Sequence, residues 1–524
     1  MQPAVLERDV PLSQSLIWQR QREFYARRGL KAWSEDQIPA YITNNPLTAE
    51  IYAGIVFAFL RDCMGHGWGH PLSPKNPLRI LELGAGTGKF ASLFLRQLTS
   101  LVGAQNIAPE TVRYSMTDCG PGVLEAWQGN TYLAEFAQKG MLEFGQFAAG
   151  QEGSSRLFGD EKRSSGQAGP LVVIANYVFD SLPQDAFVIE DCKLYEALVT
   201  ITASSERSGE VADRLADLKL SYTNVTVPPG RYADASWNCV LEHYRAKLSA
   251  ATVLFPSQAL KTIQELARLS DGRMLVLATD KGETNEGQLA LSQGPPALEF
   301  HSQDCFSQMV NFHAIAKCFE AEGGQALLPD KHFSTLNICA FLKSRPGDAF
   351  PAAIAAYRQA QGAFGPDDLF TLLAWLNAQM EEMNVAQMLA ALRLTRWDTT
   401  ALMRFFPMLA RQARDAVRER SDVRDAVLRA WDNYFPVTPG DNPLPFQCGV
   451  ILLELKYFED AAQMFRASQK TLGPSAATSY NLGLCAQGLG QRSEALALMV
   501  EACGLDHQFE PAQAARRKLE REPA

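Results

Sequence analysis

The chain has 524 residues, 47% hydrophobic and 20% charged, the make-up of a globular protein too long for one ordinary domain. Its formal net charge of −9 argues against nucleic acid as the main partner, which would favour a basic surface. The N-terminal stretch MQPAVLERDVPLSQ lacks an apolar h-region. The apolar run IYAGIVFAFL stops at Arg61 after ten residues, where a membrane span needs about 20. The expectation is therefore no membrane and a cytoplasmic setting.

The ten cysteines form no C-x-x-C and read as reduced thiols. Residues 12–70 read as helices broken by the polar YITNNP (Tyr41 to Pro46), and residues 1–70 are expected to form an N-terminal helical segment or lid. His66-Gly-Trp-Gly-His70 has a metal-like spacing but no third ligand nearby, so no metal is expected.

The stretch LRILELGAGTGKFASLFLRQL, from Leu78, is an apolar run, three glycines and then apolar residues at helical spacing. It predicts strand, tight turn and helix, with free N–H groups at the helix start. A Walker A loop fails on Leu83 and Phe90, and a dinucleotide fingerprint fails on Lys89.

Further strands are predicted at VRYSMTD, ending at Asp118, at MLEFGQF (Met141 to Phe147), and at LVVIAN, ending at Asn176. The stretch between the last two, GQEGSSRLFGDEKRSSGQAG, reads as a mobile loop. A hairpin is expected around Asp191-Cys192, and residues 203–250 are ambiguous. The helix SQALKTIQELARL leads into the strand RMLVLATD, and STLNICAFLK reads as the last strand. Strands alternating with helices predict an α/β domain with a mostly parallel sheet over 71–345.

Beyond residue 346 the pattern is helical. Gly449 and Gly483, Ala461 and Ala495, and Phe465 and Met499 each stand 34 residues apart, the tetratricopeptide period. Residues 441–524 are read as tetratricopeptide-like repeats and 346–440 as degenerate helix pairs of the same array. Two ordinary helical hairpins are the alternative.

The pattern E-x-G-x-G-x-G, made by Glu82, Gly84, Gly86 and Gly88, resembles motif I of class I S-adenosylmethionine (SAM) methyltransferases. The resemblance implies a Rossmann-like sheet with helices on both faces and SAM as cofactor. Asp118, at the next strand end, suits ribose hydroxyls, since a carboxylate accepts from both; its alternative is a turn former. Glu82 has the alternative of anchoring the glycine loop by accepting backbone N–H groups.

IANYVFDSLP (Ile174 to Pro183) is similar to the N-E-x-x-D-A-L-P segment of the MidA-type family, relatives of the mitochondrial complex I assembly methyltransferase. FYARRGLKAW, YITNNPLTAEIYA and SQMVNFHAIAKCFEAEGG also resemble that family, over roughly residues 20–345. The likeness implies that Thr43, Gln146 and Asn176 lie at the cofactor, and that Asp180 handles the acceptor with help from Tyr177. Tyr177 stands where the family has Glu. A guanidinium stays protonated, so this departure weakens an arginine target. The leading expectation is a SAM-dependent methyltransferase acting on a protein that the helical tail helps to recruit. The alternatives are an adaptor with a vestigial cofactor fold, or a small-molecule methyltransferase.

Overall fold

The computed structural model describes residues 4–34, 41–65, 72–147, 169–203, 215–301, 305–331, 333, 335–437 and 443–521. The His66/His70 spacing and the stretch 148–168 lie outside them. The chain divides into two units, Met1–Asn44 with Thr48–Asp368, and Asn45–Leu47 with Leu369–Ala524.

In the first unit β1 (Ala4–Pro11) precedes the helix Leu16–Arg28, and the helix Pro46–Gly65 follows. Next come β2 (Leu78–Leu83), β3 (Val112–Asp118), β4 (Leu142–Gln146) and β5 (Leu171–Asn176). β6 (Asp185–Glu190), β7 (Lys193–Ala203), β8 (Leu218–Thr226), β9 (Ala250–Phe255) and β10 (Met274–Asp280) follow. The two-residue strands β11 (Gly282–Glu283), β12 (Glu299–Phe300), β13 (Phe306–Ser307) and β14 (Val310–Asn311) form short ladders, and β15 (Gln325–Leu327) and β16 (Asn337–Lys343) end the series.

The main sheet has the order β15-β16-β10-β5-β2-β3-β4. It is parallel from β10 to β4, and β16 runs antiparallel to β10 and β15. β2 and β10 are buried along their whole length, as strands covered on both faces must be. The chain runs from β2 to β3 on one side and returns to β5 on the other, so the order reverses between β2 and β5.

A second, wholly antiparallel sheet was not expected. One edge of β7 takes β6 over Lys193–Glu196 and β1 over Leu198–Ala203, and β8 pairs along the other. β6 also pairs with β9. The β6–β7 turn is the expected one, with Asp191 and Cys192 at φ of 49° and 59°, which suits a two-residue hairpin loop. The ambiguous stretch resolves into β8 and the helix Ala235–Lys247. Val173, Ala175, Phe187, Phe255, Tyr244 and Phe312 share one core that joins the two sheets.

The second unit is helical. Gly449, on the helix Leu444–Glu454, lies under the Phe465 ring, and Gly483, on the helix Ala476–Gly488, lies under Met499. Among the described residues no helix is long and apolar enough to cross a membrane, and no cluster of three or more His, Cys, Asp or Glu could hold a metal. All ten cysteines are free thiols.

Candidate active site

The carboxyl ends of β2, β3 and β5, with the residues that follow β4 and β10, open on one cavity of about 190 Å³. This is the switch point of the main sheet, where α/β folds place their ligands. Gln21, Arg22 and Tyr25 of the helix Leu16–Arg28 add a further wall.

The glycine turn forms the wall after β2. Gly84 and Gly86 sit at φ of 63° and 53°, in the left-handed region. Asp118 ties the turn down: its Oδ2 accepts from the Gly86 N–H at 3.1 Å and its Oδ1 from the Gly120 N–H at 3.3 Å. The Trp127 indole N–H donates to the Gly86 carbonyl at 2.9 Å.

Asp118 thus anchors the loop, the task that the residues alone leave open for Glu82. Among the described residues no backbone N–H donates to the Glu82 carboxylate. Its Oε2 is buried with no hydrogen-bond partner, and burial pushes the carboxyl up to about 8, against the opposing effect of the Tyr114 hydroxyl. Burial also raises Asp118, opposed by the N–H groups of Gly86, Gly120 and Cys119.

Across the switch point the Tyr52 hydroxyl donates to Asn176 Oδ1 at 2.7 Å and pairs with the Thr279 hydroxyl. That fixes the amide and leaves Asn176 Nδ2 buried with no acceptor. Tyr177 follows at φ 54°, its N–H donating to the Thr279 carbonyl at 2.9 Å. Left-handed backbone is costly for an aromatic residue. Here it turns the chain off the sheet into the 3-10 turn Phe179–Ser181, which carries Asp180.

Asp180 is 5% exposed and accepts from Ser181 Oγ at 2.9 Å. It meets Asp280, the fully buried last residue of β10. Asp280 Oδ2 accepts from the Phe179 N–H at 3.0 Å, while Oδ1 has no donor. Each of two buried carboxyls that meet disfavours the ionisation of the other. Burial and the Asp180 charge hold Asp280 well above the usual carboxylate range. Burial raises Asp180 to about 6, opposed by its hydrogen bonds to Ser181 and Asp280 and by the Lys281 charge.

Of the residues singled out in the sequence, Thr43, Glu82, Gly84, Gly86, Asp118, Asn176, Tyr177 and Asp180 line the cavity. Gly88 and Gln146 do not. Gly88, at φ 81°, precedes the helix Lys89–Ala104, and a Cβ there would stand 2.8 Å from Met116 Cε. The Gln146 amide donates to the Cys119 carbonyl at 3.2 Å, and the neighbouring Phe147 lines the cavity instead. Sequence reasoning missed Asp280, Tyr52, Gln21 and Arg22. Asp280 carried a signal: it ends RMLVLATD as Asp118 ends VRYSMTD.

Residues 66–338 match the model of a family described as "Putative S-adenosyl-L-methionine-dependent methyltransferase", and the chain belongs to that family. It is a SAM-dependent methyltransferase, and SAM is its cofactor. The lining fits that molecule. Glu82 Oε2 lacks a donor, and SAM brings an ammonium and hydroxyls; Gly84 and Gly86 present bare backbone to the same space. No curated protein matches the chain. Two solved structures from Burkholderia thailandensis are similar. An uncharacterized protein is 16% identical, over 66% of this chain and 89% of its own, with a TM-score of 0.40. A protein bound to S-adenosyl-homocysteine is 13% identical, over 66% of this chain and 98% of its own, with a TM-score of 0.37.

Proposed function

We propose that this enzyme is a MidA-like methyltransferase that methylates a protein, recruited in part by a tetratricopeptide-like C-terminal array. The observation that carries the site is the pairing of two orphaned polar groups on one cavity wall each, Glu82 Oε2 and Asn176 Nδ2. Glu82 and Asp118 take the hydroxyl and ammonium donors of the cofactor beside Gly84 and Gly86. Bound SAM supplies an electrophilic methyl group. Asn176 donates its free amide hydrogens to an acceptor atom at the cavity centre, and Thr43 closes the cofactor side.

Asp180 accepts the proton of the nucleophile, with Asp280 donating to it from behind. Tyr177 orients the acceptor by hydrogen bond. In this reading Asp180 and Asp280 share one proton and present one net negative charge. A tyrosine where a further acid would stand disfavours a guanidinium as the target. The tail reading rests on the 34-residue recurrence of a buried glycine under a large side chain, Gly449 under Phe465 and Gly483 under Met499. Stacked helix pairs of this kind form concave surfaces for peptides.

The test uses methyl-labelled SAM and protein extract. The wild-type chain is expected to label protein bands. Asp180→Ala is expected to lose about 10²–10⁴-fold in rate while binding SAM as before. Label found only in small molecules would overturn the protein substrate, and full activity of Asp180→Ala would remove it from the mechanism.

A further inference from the structure

A second cavity, of about 350 Å³, adjoins the first at Arg22, which lines both. The segment 180–185 runs along the two in turn: Ser181 and Leu182 face the first, Pro183 and Asp185 the second. The second cavity is basic in a chain that is acidic overall, with Arg22, Arg231 and Lys261 against one acid, Asp185. Both Asp185 oxygens already accept hydroxyl hydrogens, from Ser13 and from Tyr232, the latter at 2.7 Å. Arg231 is clamped by both oxygens of Glu196, at 2.7 and 2.8 Å. Among the described residues Arg22 and Lys261 make no hydrogen bond or ion pair.

One group in this lining has no structural task. Ser257 is 4% exposed and lines the cavity, and among the described residues its hydroxyl has no hydrogen-bond partner. It is the first residue of the 13-residue helix Ser257–Leu269, whose N-terminal turn has no side-chain cap. The Gln258 N–H of this helix start already donates to the Pro183 carbonyl at 3.4 Å, so the hydroxyl and the two cations on one concave wall are what make a site for an oxyanion.

We propose that this cavity binds an anionic oxygen group, phosphate or carboxylate, carried by the methyl-accepting substrate, whose acceptor atom lies past Arg22 at Asp180. The inference rests on the acceptor reading of the first cavity. It makes the substrate acidic next to the methylated position, and it assigns Ser257, Lys261 and Arg22 to specificity.

The experiment is calorimetric titration of the full chain with inorganic phosphate and, separately, with acetate. Lys261→Glu and Ser257→Ala are the variants, and SAM is titrated into each form. Saturable one-site binding is expected in the wild type, weakened about tenfold or more by Lys261→Glu and less by Ser257→Ala, with SAM affinity unchanged in both. Phosphate binding alone assigns a phosphorylated substrate, and acetate binding as well assigns a carboxylate. No saturable binding of either anion, or binding indifferent to both variants, overturns the proposal. Anion binding in a chain that fails to bind SAM would instead remove the reading of the first cavity and leave the anion site standing.

Discussion

The two units use glycine for opposite reasons. Gly84 and Gly86 stand at positive φ and line the cavity. Gly449 and Gly483 sit in helices directly beneath Phe465 and Met499. The first pair is there for backbone freedom and ligand approach, the second for the absence of a Cβ. Substitution at the sheet should therefore remove binding with modest loss of fold, and substitution in the helices should cost packing alone.

The largest effect is expected at Gly86→Arg. Gly86 lines the cavity, and its left-handed backbone adds about 1–2 kcal/mol of strain for any side chain. Calorimetry should show SAM binding lost in a chain that still folds. Unchanged affinity would mean that the glycine turn is structure only, and the contrast between the two units would collapse.

The carboxyl pair gives the next test. Asp180 must be ionised to act as a base, so kcat/KM should fall as pH drops through about 6. Hydrogen bonding from Asp280 helps hold Asp180 down. Asp280→Ala removes that donor, and the acid limb should move to higher pH. Asp280→Asn can still accept from the Phe179 N–H and donate to Asp180, so its limb should stay near the wild-type position. A role in packing alone would lower the rate in either variant without moving the limb.

Glu82 yields a smaller effect with a definite sign. Its folded value of about 8 lies above the ordinary 4.5, so ionising it costs the free enzyme stability. That cost is absent below 4.5 and complete above about 8. Donors on SAM favour the carboxylate, so binding near neutral pH should release a proton, and affinity should rise with pH up to about 8. Titration in buffers of different ionisation enthalpy measures the proton release. Glu82→Gln should abolish it, and release that persists in that variant would move the role to another acid.

Much of the parallel sheet was legible because fully buried strands are unbroken apolar runs. The second sheet was not. β1, AVLERDVP, carries three charges, and its partner is β7, nearly two hundred residues away in sequence. β8 exposes most of its outer half, so its apolar alternation is faint. Within the site, Gly84, Gly86 and Gly88 are equal letters in a motif. Only packing distinguishes Gly88, which faces Met116 rather than the cavity. Asp180 was legible from its segment, but its pairing with Asp280 was not, since Asp280 lies a hundred residues further on and meets it only in the folded sheet.

The smallest effect sharpens the helical side of the comparison. Alanine in a helix interior gains up to about 1 kcal/mol over glycine. At Gly483 the obstacle is the end of Met499, with Cε at 2.8 Å, and methionine has three bonds by which to withdraw. Gly483→Ala should be close to neutral. At Gly449 three atoms of the Phe465 ring lie within 2.9 Å of the new Cβ. That ring is fully buried and packs edge-on against Phe446 at 5.6 Å, so it cannot tilt away. Overpacking of this kind costs about 1–3 kcal/mol, and Gly449→Ala should lose roughly 1 kcal/mol net after the helix gain. Hydrogen exchange over residues 444–472 and 476–505 reads the two substitutions separately. Equal losses would mean that the two helix pairs share one packing rule. A loss confined to Gly449→Ala would mean that the unit with the aromatic cap is the stiffer of the two.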